Sequence, residues 1–251
     1  MVDNLTPENF GLQSRKILVV GAAQGIGKAT ALWLSSLGAR VVPADLQDCS
    51  EIAQACGTEA VRFDMTQREA IESTIEQLDE PDAPLYGLVN CSGLLLRRPL
   101  EDTTEDELAI QTAVNQSGAF FLARAAMKKM QAHGEGRIVL YTSQGAFTGG
   151  FNGSVPYAMN KAGVTALVKS LARIGASVGV TVNAVAPGAV DTAMLRGGMT
   201  EQDLEAFEKM IPFGRFGTVE ELAAPTAFLL SAWAQYVTGT TMHVNGGQLM
   251  V

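Results

Sequence analysis

Short runs of apolar, β-forming residues alternate along this chain with longer segments of helical pattern, and that alternation limits the fold more than any other feature. The runs are "KILVV" (16–20), "RVVPAD" (40–45), "AVRFD" (60–64), "LYGLVN" (85–90), "GRIVLYTS" (136–143), "VTVNAVAP" (180–187) and "TTMHVNGG" (240–247). Helices are expected over 25–38, 66–79, 103–133, 156–175 and 218–231. Strands separated by helices of ten or more residues build βαβ units and a parallel sheet. Several runs are apolar without alternation, as strands covered on both faces are. The expected fold is α/β: a doubly wound, mostly parallel seven-stranded sheet with helices on both faces. The 251 residues show no repeat, low-complexity segment or linker, so a single domain over 1–251 is expected.

Charge and cysteine usage exclude several function classes. The net charge is −8, and the 18 Lys and Arg are scattered. No basic patch suggests nucleic acid or an anionic membrane surface as a partner. The three cysteines, Cys49, Cys56 and Cys91, fit no zinc spacing, and with only two histidines, His133 and His243, no metal site is expected. The polar, acidic "MVDNLTPENF" is unlike a signal or transit peptide, which makes a reducing, cytoplasmic setting the default expectation. From Leu222 to Val251 there is no formally charged residue. Pro225, Gly239, Gly246 and Gly247 interrupt that stretch, so it reads as a buried helix, a turn and a strand rather than a membrane span. Its lack of charge also hints at burial against another subunit.

Chemistry enters at "ILVVGAAQGIGKAT", where the first strand runs straight into the first helix. Gly21, Gly25 and Gly27, with Gln24 and Ile26 between them, give a tight turn and let backbone approach a pyrophosphate at a helix N-terminus. The spacing is G-x-x-x-G-x-G rather than G-x-G-x-x-G. The sheet is therefore expected to be of Rossmann type and to bind a dinucleotide. Asp45 ends the second strand, where a carboxylate accepts bonds from both ribose hydroxyls of an adenosine and repels a 2′-phosphate. Neither Leu46 nor Gln24 offers that phosphate a cation, so NAD is expected over NADP. The plainer role for Asp45 is to cap the following loop. Asp64, with the Met65 amide, could meet the adenine, or could instead cap the helix near Thr66. In "VNCSG", Asn90, Ser92 and Gly93 would run beside the cofactor ribose, and Cys91 reads as a small buried side chain.

In "VPYAMNKAG", Tyr157 stands four residues before Lys161, one turn apart on one helix face. The chain as a whole, from about Lys16 to Val251, resembles the compact, single-domain branch of the short-chain dehydrogenases/reductases. The resemblance rests on "GAAQGIG", the Asp64 turn, "VNCSG", Asn115 in "VNQSGAFF", Ser143 in "IVLYTSQG", "YAMNK", "NAVAPGAVDT", "PFGRFGTVEELA" and "VTGTTMHVNGG", in that order. It implies Tyr157 as the acid or base that exchanges a proton with the substrate oxygen. It implies Lys161 as a cation that, with the positive nicotinamide ring, lowers the phenol's pKa, and that also holds the nicotinamide ribose. Ser143 would hold the substrate oxygen, and Asn115 would interrupt its helix and hold a relay water. Pro187 and Gly188 would border the nicotinamide, and Val190 and Thr192 would bind its carboxamide. Three departures stand out. Val20 replaces the usual Thr, "NCSG" replaces "NNAG", and Ser143 lies fourteen residues before Tyr157, one more than is common. Thr142 therefore competes with Ser143 for the serine role, and Ser143 is preferred.

The substrate end is expected from three segments: 94–100 with Leu95, 144–155 with Phe147, Phe151 and Asn152, and a lid over 193–215 with Met194 and Leu195. These suggest a mostly apolar pocket. Arg97, Arg98 and Arg196 could meet an acidic group but read as solvated surface. The expected activity is NAD-dependent interconversion of a secondary alcohol and a ketone on a small or medium hydrophobic substrate. The "HVNGGQLMV" tail resembles 3-oxoacyl-carrier-protein reductases, so reduction of a 3-oxoacyl thioester is the rival. A non-catalytic NAD-binding scaffold is the alternative of another class. The resemblance also implies a homotetramer.

Overall fold

The computed structural model describes residues 10–150 and 153–251. Seven strands form one sheet: β1 (Lys16–Val20), β2 (Arg40–Asp45), β3 (Val61–Arg62), β4 (Leu85–Asn90), β5 (Gly136–Tyr141), β6 (Val180–Pro187) and β7 (Thr241–Val244). Their order is β3-β2-β1-β4-β5-β6-β7. Every neighbouring pair is parallel, so the sheet is wholly rather than mostly parallel. The chain winds outward from β1 to β3, then returns to lay β4 on the other side of β1. Beyond the carboxyl ends of β1 and β4 the connections diverge, and a crevice opens there.

The helices are α1 (Gly25–Ser36), α2 (Ser50–Cys56), α3 (Arg68–Leu78), α4 (Glu105–Thr112), α5 (Ala119–His133), α6 (Gly145–Thr148), α7 (Val155–Ala176), α8 (Ala193–Arg196), α9 (Glu201–Lys209) and α10 (Glu220–Leu230). Successive strand residues point to opposite faces, and both faces are covered. In β1, Leu18 and Val20 pack with Ile71 of α3, Leu122 of α5 and Val168 of α7. Ile17 and Val19 pack on the other face with Leu34 of α1, Ile52 of α2 and Leu229 of α10. Two cores therefore sandwich the sheet, which is why these runs lack polar alternation.

One expectation changes and two details are added. The helix foreseen over 103–133 is broken: α4 and α5 are joined by a π-helical segment, Ala113–Gly118, that contains Asn115. Helix α2 had no signal, because only Ile52 and Ala53 of its seven residues are buried and no apolar stripe results. The 193–215 lid is two short helices, α8 and α9, with Leu195, Leu204 and Ile211 in a small core of their own. The uncharged end forms the latter part of α10, a 3₁₀ turn (Ala232–Ala234) and β7. Tyr236, Trp233 and Met250 stand exposed there.

Candidate active site

A cleft of about 850 Å³ runs from the glycine loop, across the carboxyl ends of the strands, to the lid. At one end Gly21 leaves β1 with φ +82°, and a Cβ on it would lie 2.7 Å from the Ser92 amide nitrogen. A Cβ on Gly27 would collide with the Gly21 carbonyl oxygen. Only glycines allow the loop to pass between these backbones. The side chain of Gln24, the N-cap of α1, makes no capping bond, so first-turn amides of this twelve-residue helix remain available to an anion. Gly21, Gln24, Gly25, Ile26 and Gly27 all line the cleft.

Asp45 lines it too, and its carboxylate accepts from the amides of Ala23 (3.0 Å) and Gln47 (3.0 Å). It thus ties the glycine loop to the end of β2. Among the described residues no Lys or Arg lines the cleft beside it; Arg62, its register partner on β3, donates Nε to the Leu46 carbonyl. Leu46 and Met65 also face the cleft. Asp64 lines it while accepting from the Thr66 amide at 2.8 Å, so the capping role considered for it is present. Asn90 is buried and does not line the cleft. Its Oδ1 accepts from the amide and hydroxyl of Ser92, so it shapes the turn that presents Ser92 and Gly93. Pro187, Gly188, Val190 and Thr192 line the middle of the cleft. The residues present fit a dinucleotide: the tight glycines would meet a pyrophosphate, Asp45 a ribose, and the 187–192 segment a flat ring.

Tyr157 and Lys161 project into the same cleft from the first two turns of α7. Lys161 is 3% exposed, and Nζ donates to the Tyr141 carbonyl at 2.8 Å. It stands 5.6 Å from the centre of the Tyr157 ring. Burial pushes the phenol up to about 12, and the charge of Arg97 pulls the other way. Burial brings the Lys161 ammonium down to about 8. Desolvation dominates both groups in the protein without ligand. Ser143 faces the cleft with Oγ accepting from the Gly145 amide. Thr142 instead donates its hydroxyl to the Lys161 carbonyl and bonds to Thr165. The hydroxyl free to meet a substrate is that of Ser143. Asn115 does not line the cleft. Its side chain clamps Leu94 by accepting from the amide (2.8 Å) and donating to the carbonyl (2.7 Å).

At the far end, Leu95, Met194 and Leu195 line the cleft as expected. Phe147 does not. Its ring packs edge-on against His243, with centroids 4.7 Å apart, because α6 carries it away from the opening. Phe151 and Asn152 lie outside the described residues. Gln144, Phe207 and Met210 also line the cleft from the expected 144–155 and 193–215 segments, and Gln248 lines it from outside the three segments. Gln144 directly follows Ser143, which was the available signal; the others arrive from the tail and lid. Arg97 also lines it, with Nη1 donating to the carbonyls of Met194 (3.1 Å) and Gly197 (2.6 Å), so it ties the lid to the segment after β4.

Residues 21–248 match the family model described as Enoyl-(Acyl carrier protein) reductase. This match covers most of the chain and includes the glycine loop, Ser143, Tyr157 and Lys161. The chain belongs to the short-chain dehydrogenase/reductase family. It is 36% identical to the 3-oxoacyl-[acyl-carrier-protein] reductase FabG of Escherichia coli (strain K12), over 96% of this chain and 100% of that one. It is similar to FabG of Aquifex aeolicus at 36%, over 94% and 98%. Among solved structures, a candidate NAD(P)-dependent gluconate 5-dehydrogenase from Beutenbergia cavernae, with NADP bound, superposes with a TM-score of 0.90. It is 34% identical, over 97% of this chain and 99% of that one. A candidate gluconate dehydrogenase from Agrobacterium tumefaciens gives a TM-score of 0.89 at 30% identity, over 96% and 98%. As a short-chain dehydrogenase/reductase the chain is an oxidoreductase of a family that uses a nicotinamide cofactor. Among the described residues, no group of acidic, His or Cys side chains could hold a metal ion, and no helix is long and apolar enough to cross a membrane.

Proposed function

We propose that this short-chain dehydrogenase/reductase interconverts a ketone and a secondary alcohol, with Tyr157 as the proton-transferring group. The observation that carries this reading is the convergence of Tyr157, Ser143 and Lys161 on one cleft that is continuous with the glycine loop. When bound, the nicotinamide supplies or accepts the hydride. The Ser143 hydroxyl holds the substrate oxygen, and Tyr157 gives that oxygen a proton in reduction or takes one in oxidation. Lys161 holds the nicotinamide ribose, and its charge, together with that of the oxidised ring, favours the phenolate. Asn115 fixes the Leu94 backbone beside them and, through the π-helical break, would hold a relay water. Gly93 would run beside the ribose, and the 187–192 segment would orient one ring face. A scaffold that only binds nucleotide would have no use for the Ser143–Tyr157 pair.

For the cofactor we favour NAD, on the carboxylate of Asp45 and the lack of a neighbouring cation in the cleft, although one solved neighbour holds NADP. The relatives' names divide on the substrate. Reduction of a 3-oxoacyl thioester is the second reading, and the sequence relatives favour it over the free hydrophobic alcohol expected from sequence. Against carrier-protein docking, only Lys128, Lys129 and Arg173 are basic near the place where an acidic carrier protein would be met, and Lys129 is paired with Glu76. We also infer a homotetramer, on the exposed aromatic residues of the uncharged end. The test is initial-rate absorbance of NADH and NADPH against ketones, acetoacetyl-CoA and a 2-enoyl thioester. Turnover of the enoyl thioester alone, or of nothing, would sink the carbonyl reading. A lower KM for NADPH than for NADH would sink the cofactor preference.

A further inference from the structure

Three side-chain atoms that belong to cleft-lining residues are buried and have no hydrogen-bond partner among the described residues. They are Nε of Arg97, Oε1 of Gln144 and Oε1 of Gln248. Buried polar atoms are almost always satisfied, so an unpaired set along one cleft points to a ligand that pairs them. Arg97 also differs from its neighbours. Arg98 is paired with Glu107, Arg196 with Asp191 and Arg215 with Glu221, while Arg97 meets only the lid carbonyls of Met194 and Gly197. Those bonds use Nη1, so the Nε side of the guanidinium fork is left for a planar anion, which such a fork holds through two parallel bonds. Arg97 is close enough for its charge to act on Tyr157. Gln144 directly follows Ser143, and Gln248 reaches the cleft from the tail behind β7. Whichever way each amide is turned, it offers a donor and an acceptor that suit hydroxyl groups. A purely apolar acyl chain would leave all three unpaired.

We propose that the substrate is a small hydroxylated carboxylic acid, or its keto form, with its carboxylate on Arg97 and its hydroxyls on Gln144 and Gln248. This rests on the carbonyl–alcohol reading above and names the substrate class of that same site. In the oxidising direction the carbinol carbon loses a hydride, with the nicotinamide nucleotide as oxidant, and its hydroxyl proton passes to Tyr157. Because Arg97 also holds Met194 and Gly197, occupation by a carboxylate fixes the lid from the same guanidinium.

The experiment measures kcat/KM of the full chain, with NAD and with NADP, on D-gluconate and D-xylonate. The neutral alditols D-glucitol and xylitol, acetoacetyl-CoA and 2-octanol serve as comparisons. The acids are expected to exceed their alditols by about 10- to 100-fold, the worth of a charged hydrogen-bonded contact. Arg97→Met should remove most of that preference through KM. Arg97→Lys, which keeps the charge but not the fork, should fall between. As a readout apart from turnover, gluconate should raise the unfolding temperature of the nucleotide-bound wild type but not of Arg97→Met. Turnover of acetoacetyl-CoA or 2-octanol without preference for the acids overturns the acid substrate and leaves the carbonyl chemistry standing. No turnover of any carbonyl or alcohol removes both. An acid preference unchanged in Arg97→Met and Arg97→Lys also overturns the proposal.

Discussion

Replacing Lys161 by Met should stabilise the protein while removing its activity. The ammonium is 3% exposed, and burial brings its pKa from 10.5 to about 8. At pH 7 the native state therefore carries a buried charge that costs roughly 3 kcal/mol relative to the unfolded chain, at about 1.4 kcal/mol per unit. Methionine fills nearly the same volume without the charge. It leaves the Tyr141 carbonyl without the bond from Nζ, an offset of about 1 kcal/mol. The net gain of roughly 2 kcal/mol corresponds to a rise in Tm of about 4–8 °C for a chain of this size. The pH dependence fixes the cause. Below pH 8 the native lysine is charged and the whole penalty is present. Between pH 8 and 10.5 the unfolded state holds more protons than the native one, so wild-type stability rises with pH and the advantage of Lys161→Met shrinks. Calorimetry of both proteins without nucleotide, at pH 7 and pH 9.5, measures this. A variant less stable than wild type at pH 7, or a difference independent of pH, would refute the reasoning.

Asp45→Ala should weaken NADH by about tenfold or more while NADPH changes little, as nucleotide fluorescence titration would show; equal losses for both would contradict the ribose role. Gly27→Ala should abolish nucleotide binding and lower stability by about 2 kcal/mol or more, because its Cβ meets the Gly21 carbonyl; near wild-type binding would show that the loop yields. Asn115→Ala leaves the Leu94 amide and carbonyl unpaired and should cost about 2–4 kcal/mol, read from the urea midpoint; a loss below about 0.5 kcal/mol would mean that water replaces the clamp.

The glycine-loop end of the cleft is legible in the sequence because it is local. Gly21 to Gly27 bridge one strand and one helix, and Asp45 ends the neighbouring strand, so spacing alone placed them together. The bounds of β1, β2, β4 and β6 agree with their apolar runs for the same reason: each run is buried on both faces and ends at a turn residue. The substrate end was less legible because it is assembled from distant segments. Gln248 from the tail and Phe207 from the lid meet residues of the β4 and β5 loops, and no periodicity records that meeting. Phe147 fitted the pattern of a mouth residue, yet His243 on β7 offers its ring a partner elsewhere. Arg97 looked like solvated surface because its lid partners are backbone carbonyls, which a sequence does not mark. The spacing of Tyr157 and Lys161 is legible in the sequence, but the burial that dominates the titration of both in the protein without ligand is not, because it comes from elements distant in the chain.

The most direct measurement of the central claim compares wild type with Tyr157→Phe, in kcat for the best carbonyl substrate and in the dissociation constant for NADH. Loss of the proton-transferring hydroxyl should lower kcat by about 10²- to 10⁴-fold and leave nucleotide affinity within about twofold. Turnover that survives in Tyr157→Phe would contradict the account.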